Sequence, residues 1–312
     1  MNIHQLRIAI AEAIADTRFA TTAYFAGGCV RDLLIHRQTM DYDITVEVPE
    51  GGIKLAAFLH KALSTSEPVT WPRFGTASLI YQGCKIELEM TRKEEYKPGN
   101  RNPKVSFASL EEDVSRRDFT INALLLGISG GTLLDLSKRG LRDLHDGIIR
   151  TVGKPEAVFR EDPLRMLRAI RFATVLDFKI EPETWNALKN NAALVQTLSP
   201  DRISSEFAGI MIPSPTPHLR NRSESEGTAV ARGFELLLES GIMEFIQPEH
   251  QQKLEILSAK RFNLTPQELI GYFGNLDNFR LGNMMKSAKE YWFEHPEATN
   301  SAMLRHLKEQ KL

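Results

Sequence analysis

The spacing of apolar and polar residues along this chain changes near its middle. Up to about residue 150, helical spacing and strand-like alternation take turns, which predicts a sheet with accompanying helices. The strand-like stretches are rich in β-branched and aromatic residues. We predict strands over residues 22–25, 40–48, 77–81 and 85–90, and helices over 3–15, 30–35 and 53–63. Gln82-Gly83 separates the last two strands and predicts a hairpin turn.

Beyond about residue 154 the strand rhythm fades, and apolar residues recur at helical spacing. Asp162-Pro163 predicts a helix start, because Asp can cap the helix and Pro fits its first turn. We predict helices from there to about 176, and over 182–190, 201–211 and 234–245, with a Pro/Ser-rich linker over 213–227. The predicted fold class is α+β: a mixed-sheet head (1–152), an all-helical neck (153–212) and a short helical body (213–312).

Composition narrows the class of protein. The 312 residues are 42% hydrophobic and 25% charged, and Lys plus Arg (39) nearly balance Asp plus Glu (40), so any nucleic-acid surface must be local. The two cysteines, Cys29 and Cys84, cannot form a disulfide framework, so we expect a reducing, cytoplasmic setting. The first residues do not resemble a signal peptide, and no stretch approaches the ~18 apolar residues that span a bilayer. We therefore expect a soluble protein with no membrane partner, and the sequence indicates no protein partner.

A pair of carboxylates is the first candidate for chemistry. Asp41 and Asp43 lie two apart on a predicted strand, so both side chains point to one face and repel each other without a cation. Mg²⁺ prefers carboxylate oxygen and takes one or two protein carboxylates beside phosphate oxygens, which suits two-metal catalysis. Glu87, on a nearby predicted strand, is a candidate third acid. Alone, such a pair is more often a solvated strand face.

The segment just before these acids favours a phosphate site. Gly27-Gly28 at a strand end allows close approach of backbone to phosphate, and the turn from Val30 can direct amides at it. Arg31 is a candidate bidentate phosphate clamp. A glycine pair often marks only a turn, but these features and both acids fall within 17 residues. Together they predict a nucleotide site with Gly28 and Arg31 as ligands.

Four segments resemble motifs of one family, the class II tRNA nucleotidyltransferases and bacterial poly(A) polymerases. The first motif is matched by Gly27-Gly28-Cys29-Val30-Arg31-Asp32 with Asp41-Tyr42-Asp43. The other three are matched by residues 116–123, 161–165 and 198–206, and the resemblance covers about residues 20–250. Two departures stand out: Asp201 replaces a usual Glu, and Ser137-Lys138-Arg139-Gly140 replaces a Gly-Gly segment.

The resemblance implies a polymerase-beta-like nucleotidyltransferase head, two Mg²⁺ ions, CTP and ATP as substrates, and the tRNA 3′ end and acceptor stem as partner. In the second motif it makes Arg117 the candidate for phosphate contact and Asp118 the candidate for a ribose hydroxyl. It also places Arg168 and Arg171 at the triphosphate or the base, although a basic stripe on a helix is usually a solvated face.

Asp162 and Arg165 form a candidate base-selecting pair, because residues three apart share a helix face. Carboxylate accepts and guanidinium donates, which fits the amino group and ring nitrogen of cytosine or adenine. Uracil and guanine present the reverse order, and each unpaired buried group costs about 1–3 kcal/mol. The alternative is a simple salt bridge between the two side chains, worth about 0.2–0.5 kcal/mol.

The polar segment 91–104 is predicted to be a mobile loop with Pro98-Gly99-Asn100 at its tip. It carries five basic residues against two acids, and we expect it either to contact RNA phosphate or to be a solvated loop. The five are Arg92, Lys93, Lys97, Arg101 and Lys104. In the family, such a loop favours competence in the A-adding step.

Several activities remain open at this point. The leading hypothesis is complete CCA addition to tRNA; A-only or partial CC addition and poly(A) synthesis are alternatives within the family. Trp71-Pro72-Arg73-Phe74-Gly75-Thr76 stands where poly(A) polymerases carry a more basic segment, which favours tRNA. Only about 100 residues follow the linker, which predicts reduced tail contacts with tRNA. A hypothesis from a different class is a non-catalytic RNA-binding relic of the fold.

Overall fold

The computed structural model describes residues 2–39, 41–97, 100–211, 226–246, 266–273, 284, 287–288, 291–292, 295 and 298–310. The chain divides into two compact units, Met1–Glu161 and Asp162–Leu312. The division into head, neck and body at residues 152 and 212 stays a prediction.

The first unit is a mixed α/β structure. Its helices are α1 (Ile3–Ile14), α2 (Phe19–Thr22), α3 (Gly28–Leu34), α4 (Gly51–Leu63), α5 (Leu110–Ser115), α6 (Gly140–Asp146) and α7 (Pro155–Glu161). Its strands are β1 (Ala23–Ala26), β2 (Asp41–Val46), β3 (Val69–Trp71), β4 (Thr76–Tyr81), β5 (Cys84–Met90), β6 (Arg92–Lys97), β7 (Asn100–Phe107), β8 (Leu125–Gly127), β9 (Leu133–Leu134) and β10 (Ile148–Ile149).

Seven of these strands form one mixed sheet in the order β3-β4-β5-β2-β1-β8-β9. β2 and β5 are parallel, whereas every other neighbouring pair in this sheet is antiparallel. The parallel pair brings the first half of β5, Lys85–Glu87, directly beside Asp41–Asp43 of β2. The predicted mixed sheet is confirmed, and Gln82 and Gly83 form the predicted turn with φ of 47° and 78°.

One face of the sheet is closed by helices. Tyr42 and Ile44 on β2 and Ile86 and Leu88 on β5 are all buried, and α4 packs against β2, β4 and β5. Because side chains alternate along a strand, Asp41 and Asp43 point to the opposite face.

Helix α4 begins at Gly51, two residues before the predicted start. A Cβ on Gly52 would lie 2.3 Å from the Leu88 carbonyl oxygen and 2.5 Å from that of Gly75. The first turn of the helix therefore packs on backbone, which only glycine allows. The apolar pattern begins at Ile53 and does not reveal this turn.

The segment 91–104 is not a loop in the part that the structure describes, and this prediction is wrong. β6 and β7 pair as an antiparallel hairpin, with Arg92 opposite Phe107 and Glu94 opposite Val105. Pro98 and Gly99 lie outside the described residues. The segment 91–104 is mostly polar and lacks the apolar alternation from which strands are recognised, whereas the pairing of two strands depends on backbone hydrogen bonds.

The second unit is helical apart from the short strand β11 (Lys179–Ile180). Its helices are α8 (Leu164–Leu176), α9 (Pro182–Asn190), α10 (Pro200–Met211), α11 (Glu226–Glu239), α12 (Pro266–Phe273) and α13 (Asn300–Glu309). α8 packs against α10 and α11, and a Cβ on Gly233 of α11 would lie 2.6 Å from Ile210 Cγ2 and 2.9 Å from Thr174 Oγ1.

The helices predicted at 162–176, 182–190 and 201–211 are confirmed within a few residues. The single helix predicted over 234–245 is wrong: α11 ends at Glu239, and a 3₁₀ helix covers Ile242–Phe245. Gly241 between them has φ of 73°, a left-handed conformation that ends an α-helix. Nearly all of the predicted linker lies outside the described residues. Within the described part of the chain, no helix combines the length and apolar character needed to cross a membrane.

Candidate active site

Asp41 and Asp43 lie on β2 at the open face of the sheet, as predicted. Asp43 is opposite Glu87 of the parallel strand β5, and Asp41 is opposite Lys85. On its other side Asp43 is opposite Ala26, the last residue of β1, so Gly27 follows directly beside it. The strand register therefore brings the glycine turn, Asp43 and Glu87 to one place.

Gly27, rather than Gly28, makes the closest approach to the acids. Its φ is +69°, and a Cβ there would lie 3.7 Å from Asp43 Oδ2 and 3.5 Å from Arg117 Nη1. Gly28 begins α3 and lies near Arg31, with 3.6 Å between an ideal Cβ and Nη2. The sequence indicated that Gly27-Gly28 allows close approach of phosphate but named only Gly28 as a nucleotide ligand, and the structure places Gly27 nearer to the acids.

Asp43 is held in a negatively charged, desolvated setting. Burial raises its pKa to about 7, the carboxylates of Glu89, Glu87 and Asp41 add to that rise, and Arg117 opposes it. A cation bound at these oxygens would offset the free-energy cost of charging Asp43. A donor set made only of oxygens suits Mg²⁺. Within the described ranges, no three or more His, Cys, Asp or Glu side chains are grouped to hold a metal ion. The residues thus fit an ion that takes one or two carboxylates and completes its shell with other oxygens.

The acids on β5 have cationic neighbours of their own. Lys85 Nζ lies 2.5 Å from Glu87 Oε1, so the candidate third acid is already in an ion pair. Glu89 Oε2 lies 3.8 Å from Arg92 Nη1 and 3.9 Å from Arg116 Nη2. Sequence reasoning missed Glu89, although its spacing of two from Glu87 places both side chains on the open face.

Asp113 anchors the two arginines of the second motif. Its carboxylate has no exposed surface and lies 2.7 Å from Arg116 Nη2 and 3.0 Å from Arg117 Nη2, while Arg92 N donates to it at 3.1 Å. Burial alone would raise the pKa of Asp113, but Arg117 and Arg116 outweigh it, so the pKa is lowered. Arg117 Nη1 also donates to the Asn122 carbonyl oxygen at 3.3 Å. Arg117 is thereby held beside Gly27, where we predicted a phosphate ligand.

Asn122 links the first and second motifs through a buried polar network. Arg31 Nη1 donates to Asn122 Oδ1 at 2.7 Å, and Asn122 Nδ2 donates to Asp118 Oδ1 at 3.1 Å. Arg31 Nε donates to Asp32 Oδ1 at 2.8 Å, and Arg31 is only 6% exposed. Asp118 is buried and also accepts from the amide of Phe119 at 2.7 Å. Arg31 and Asp118 thus have protein partners here, and their predicted contacts with phosphate and ribose stay predictions.

In the second unit, Asp162 lies just before α8, whose N-cap residue is Pro163 rather than the predicted Asp162. Asp162 Oδ1 nevertheless accepts from the amide of Leu164, the first residue of the helix, at 3.2 Å. Arg202 Nη2 lies 3.2 Å from Oδ1 and 3.0 Å from Oδ2 of the same carboxylate. Arg165 is buried on the following turn. Arg202 was quoted in a motif but given no role; its place in α10 is what brings it to Asp162.

The predicted basic stripe continues along α8 and meets Glu206. Arg171 Nε donates to Glu206 Oε2 at 2.6 Å, and Arg168 Nη1 lies 4.0 Å from Oε1. Both guanidinium groups lie over the Phe172 ring, at 5.2 Å for Arg168 and 4.5 Å for Arg171. A Cβ on Gly209 would lie 2.4 Å from Arg171 Cδ, so α10 packs tightly on this side chain. The arginines are therefore oriented by packing and by one carboxylate.

The predicted RNA-contacting residues fall on the β6–β7 hairpin. Arg92 turns toward the sheet, with Nη1 3.5 Å from Thr76 Oγ1, whereas Lys93 is exposed. Lys97, Arg101 and Lys104 belong to the two strands. Their contact with RNA stays a prediction.

Comparison with known proteins identifies related families. Residues 23–150 match the family model "Poly A polymerase head domain", and residues 177–213 match "Probable RNA and SrmB-binding site of polymerase A". The CCA-adding enzyme of Lactobacillus helveticus is 38% identical over 251 residues, 80% of this chain and 56% of that protein. That of Geobacillus sp. is 34% identical over 244 residues, 77% of this chain and 54% of that protein. The chain therefore spans about half the length of the curated relatives it matches.

Solved structures share the fold. A tRNA nucleotidyltransferase complexed with a primer tRNA and an incoming ATP analog is 27% identical, with a TM-score of 0.63, covering 96% of this chain and 94% of that one. The Bacillus stearothermophilus CCA-adding enzyme in complex with CTP is 24% identical, with a TM-score of 0.64, covering 99% of this chain and 82% of that one, and supports the fold alone.

Proposed function

This chain belongs to the family of class II tRNA nucleotidyltransferases and bacterial poly(A) polymerases, and on that premise we propose that it adds the CCA end to tRNA. The reaction is template-independent transfer of CMP and AMP from CTP and ATP to the RNA 3′ hydroxyl. One observation carries the proposal: Asp43, with a pKa of about 7, stands among other carboxylates and beside the Gly27 turn.

Two Mg²⁺ ions would be held by Asp41 and Asp43. Such ions, when bound, lower the pKa of the attacking hydroxyl and neutralise charge on the departing pyrophosphate. Gly27 keeps side-chain bulk away from the same point, which leaves room for phosphate beside Asp43 Oδ2. Arg117, fixed by Asp113, offers guanidinium charge to that phosphate. Glu87 and Glu89 maintain the negative field that favours the cations.

Base selection is assigned to Asp162 and Arg165 on α8. The Asp162 carboxylate has about four acceptor sites, and the Leu164 amide and Arg202 use some of them, which leaves capacity for the amino group of cytosine or adenine. Arg202 fixes the direction of this carboxylate. Arg168 and Arg171, oriented by Glu206 and Phe172, supply positive charge on the same helix for the nucleotide. Preorganised groups of this kind discriminate because a wrong base leaves them unpaired.

The RNA end is assigned to the head, with basic residues of the β6–β7 hairpin as phosphate contacts. Lys93 is exposed there, and Lys97, Arg101 and Lys104 lie on the same two strands. The curated relatives are CCA-adding enzymes, which favours tRNA over messenger RNA as substrate. With tRNA, CTP and ATP as substrates, the proposed location is the cytoplasm. An inactive relic is disfavoured, because retaining a costly buried carboxylate such as Asp43 has a use only if a cation binds it.

An extension assay with three tRNAs tests this function. The tRNAs end before CCA, after the first C and after CC, and each is incubated with each labelled nucleoside triphosphate, alone and in pairs. With CTP alone, we expect two C to be added to the first substrate and one C to the second. With ATP alone, we expect a single A to be added to the third. Extension of only the third substrate would assign A-only addition, and long A tails would assign poly(A) synthesis. Incorporation of UTP as readily as CTP would contradict the role of Asp162 and Arg165.

A further inference from the structure

The open face of the sheet extends well beyond the acids. Successive strands place Asp43, Glu87, Ser78 and Val69 in one row, so these side chains share the face of the active site. Trp71 is opposite Thr76, and Thr76 is two residues from Ser78, so Trp71 also lies on this face. Ile80 is two residues beyond Ser78 on β4 and therefore lies on this face as well.

Three large apolar side chains are exposed at the far end of this face. Val69 is 58% exposed, Trp71 45% and Ile80 38%. We call these three residues the β3–β4 platform. Their exposure contrasts with the opposite face, where Leu79 on β4 is buried. Val69 is two residues from Trp71 on β3, and Ile80 is four residues along β4 from Thr76, the partner of Trp71. Exposed apolar side chains on one face of a sheet are a candidate binding surface.

We propose that the β3–β4 platform stacks bases of the RNA strand whose 3′ end reaches Asp41 and Asp43; this rests on the proposed function. β3 is three strands from β2, about 14 Å at ~4.8 Å per strand. That distance corresponds to about four nucleotides stacked at ~3.4 Å. The platform therefore contacts nucleotides a few positions before the primer terminus and aligns the end with the acids.

Cations beside the platform favour RNA as its partner. Arg73 follows Trp71 in the chain, is exposed, and lies 5.6 Å from the Phe74 ring centroid. Arg92 Nη1 lies 3.5 Å from Oγ1 of Thr76, the residue opposite Trp71. Aromatic and apolar faces with adjacent arginine are typical of single-stranded nucleic-acid binding, which tolerates any sequence because every base has a π face.

A protein strand adding to the same edge is less favoured. β3 has only three residues and is followed by Pro72, which has no backbone N–H to donate. Strand addition depends on a row of main-chain hydrogen bonds, and such a short edge offers few.

The test uses the full chain and a tRNA that ends in CC, so that the nucleotides just before its terminus are unpaired. Steady-state kinetics compare wild type with Trp71→Ala, Trp71→Phe and Ile8→Ala, the last being a control at an apolar residue of similar exposure, 50%. Because stacking on one aromatic is worth about 1–3 kcal/mol, we expect Trp71→Ala to raise the KM for tRNA about 5- to 150-fold. The KM for ATP should stay nearly unchanged, because the proposal gives Trp71 no part in binding the incoming nucleotide. Trp71→Phe should retain most of the affinity for tRNA, and Ile8→Ala all of it.

Fluorescence gives an independent readout. Stacking quenches tryptophan, so the tRNA should reduce emission more in wild type than in Trp71→Phe, and the difference isolates Trp71 from the other two tryptophans. An unchanged KM for tRNA in Trp71→Ala, with no Trp71-dependent quenching, would overturn the inference while nucleotide addition by wild type still stands. A wild-type dimer that Trp71→Ala abolishes, without any effect on RNA, would overturn it in favour of a protein interface. A wild type that extends no RNA at all would instead overturn the proposed function.

Discussion

Arg31 and Asn122 stand 91 positions apart in the sequence and share a hydrogen bond of 2.7 Å between guanidinium Nη1 and the side-chain amide oxygen. Asn122 passes the connection on to Asp118 through its Nδ2. Hydrogen bonds through Asn122 therefore connect the first and second motifs. Each polar atom named in this series of hydrogen bonds has a partner, which is the condition for a buried polar network to stabilise a fold.

Replacing Asn122 with Ala should break this connection. The change leaves Arg31 and Asp118 each short of one buried partner, so the free energy of unfolding should fall by roughly 1–3 kcal/mol. Urea denaturation at neutral pH measures this, with Asn190→Ala at an exposed helix position as the control. An Asn122→Ala chain as stable as the control would mean that the network contributes nothing.

Asp43→Asn should stabilise the metal-free protein at alkaline pH. The folded-state pKa of Asp43 is raised from 3.8 to about 7, so holding the charge costs stability. The cost is absent below about pH 4, grows as pH rises toward 7, and is complete above it. We expect a gain of about 1–3 kcal/mol at pH 8 in chelator, less than the full linkage value because the group is partly solvated.

Thermal unfolding at pH 5 and pH 8, with and without Mg²⁺, measures this effect. Mg²⁺ should raise the Tm of wild type at pH 8 and leave Asp43→Asn almost unchanged, because the ion relieves a charge that the variant lacks. The same Tm for both proteins in chelator at pH 8 would contradict a free-energy cost of the charged form of Asp43.

Asp113→Asn should lower stability and change its acid dependence. Asp113 is buried against Arg116 and Arg117, and breaking a buried pair costs roughly 3–5 kcal/mol. The pKa of Asp113 is lowered in the folded state, so its contribution is complete above 3.8 and is lost as pH falls through the lower folded-state value. The gap between wild type and variant should therefore close in strong acid.

Asp146→Asn provides the matched control, because Asp146 also pairs with an arginine but is exposed. Denaturation at pH 7 should show little effect for this variant. Equal losses for Asp113→Asn and Asp146→Asn would show that burial of the Asp113 pair has no energetic consequence.

Asp162→Ala should weaken discrimination between bases more than it weakens catalysis on the correct one. Loss of the acceptor removes the match to the amino group of CTP, and the ratio of kcat/KM for CTP to that for UTP should fall about 5- to 150-fold. Arg202→Lys keeps a positive charge near Asp162 but removes the planar guanidinium, so a smaller fall is expected. An unchanged ratio in Asp162→Ala would remove this residue from base selection.

Patterns of apolar residues predicted the helices and strands that bury an apolar face. They did not predict elements that are stabilised mainly by backbone contacts. The helix at Pro182–Asn190 was predicted to the residue, because its cap and its apolar side are both local signals. The β6–β7 hairpin was predicted to be a loop because its sequence is mostly polar and has no apolar alternation. The first turn of α4 was missed because Gly52 packs backbone against backbone.

In the candidate site, too, the sequence identified residues from local spacing and missed those whose contacts join distant segments. Asp41 and Asp43 were identified from a two-residue spacing, which fixes a common face in any strand. Glu89, Asp113 and Arg202 were given no role, since their contacts depend on register and packing between segments distant in sequence. Arg31 was expected to contact phosphate, yet its partners Asp32 and Asn122 become visible only when the two motifs are brought together.

Single-turnover incorporation of labelled CMP into tRNA lacking CCA, over a range of Mg²⁺ concentrations, tests the central claim most directly. The proteins to compare are wild type, Asp41→Asn, Asp43→Asn and, as a matched control, Asp16→Asn at an exposed position. We expect Mg²⁺-dependent incorporation by wild type and Asp16→Asn, and a rate lowered at least about 10³-fold in the other two at saturating Mg²⁺, since each removes a ligand of the ions that stabilise the transition state. Wild-type rates in Asp41→Asn or Asp43→Asn would contradict the assignment of these carboxylates as the metal site.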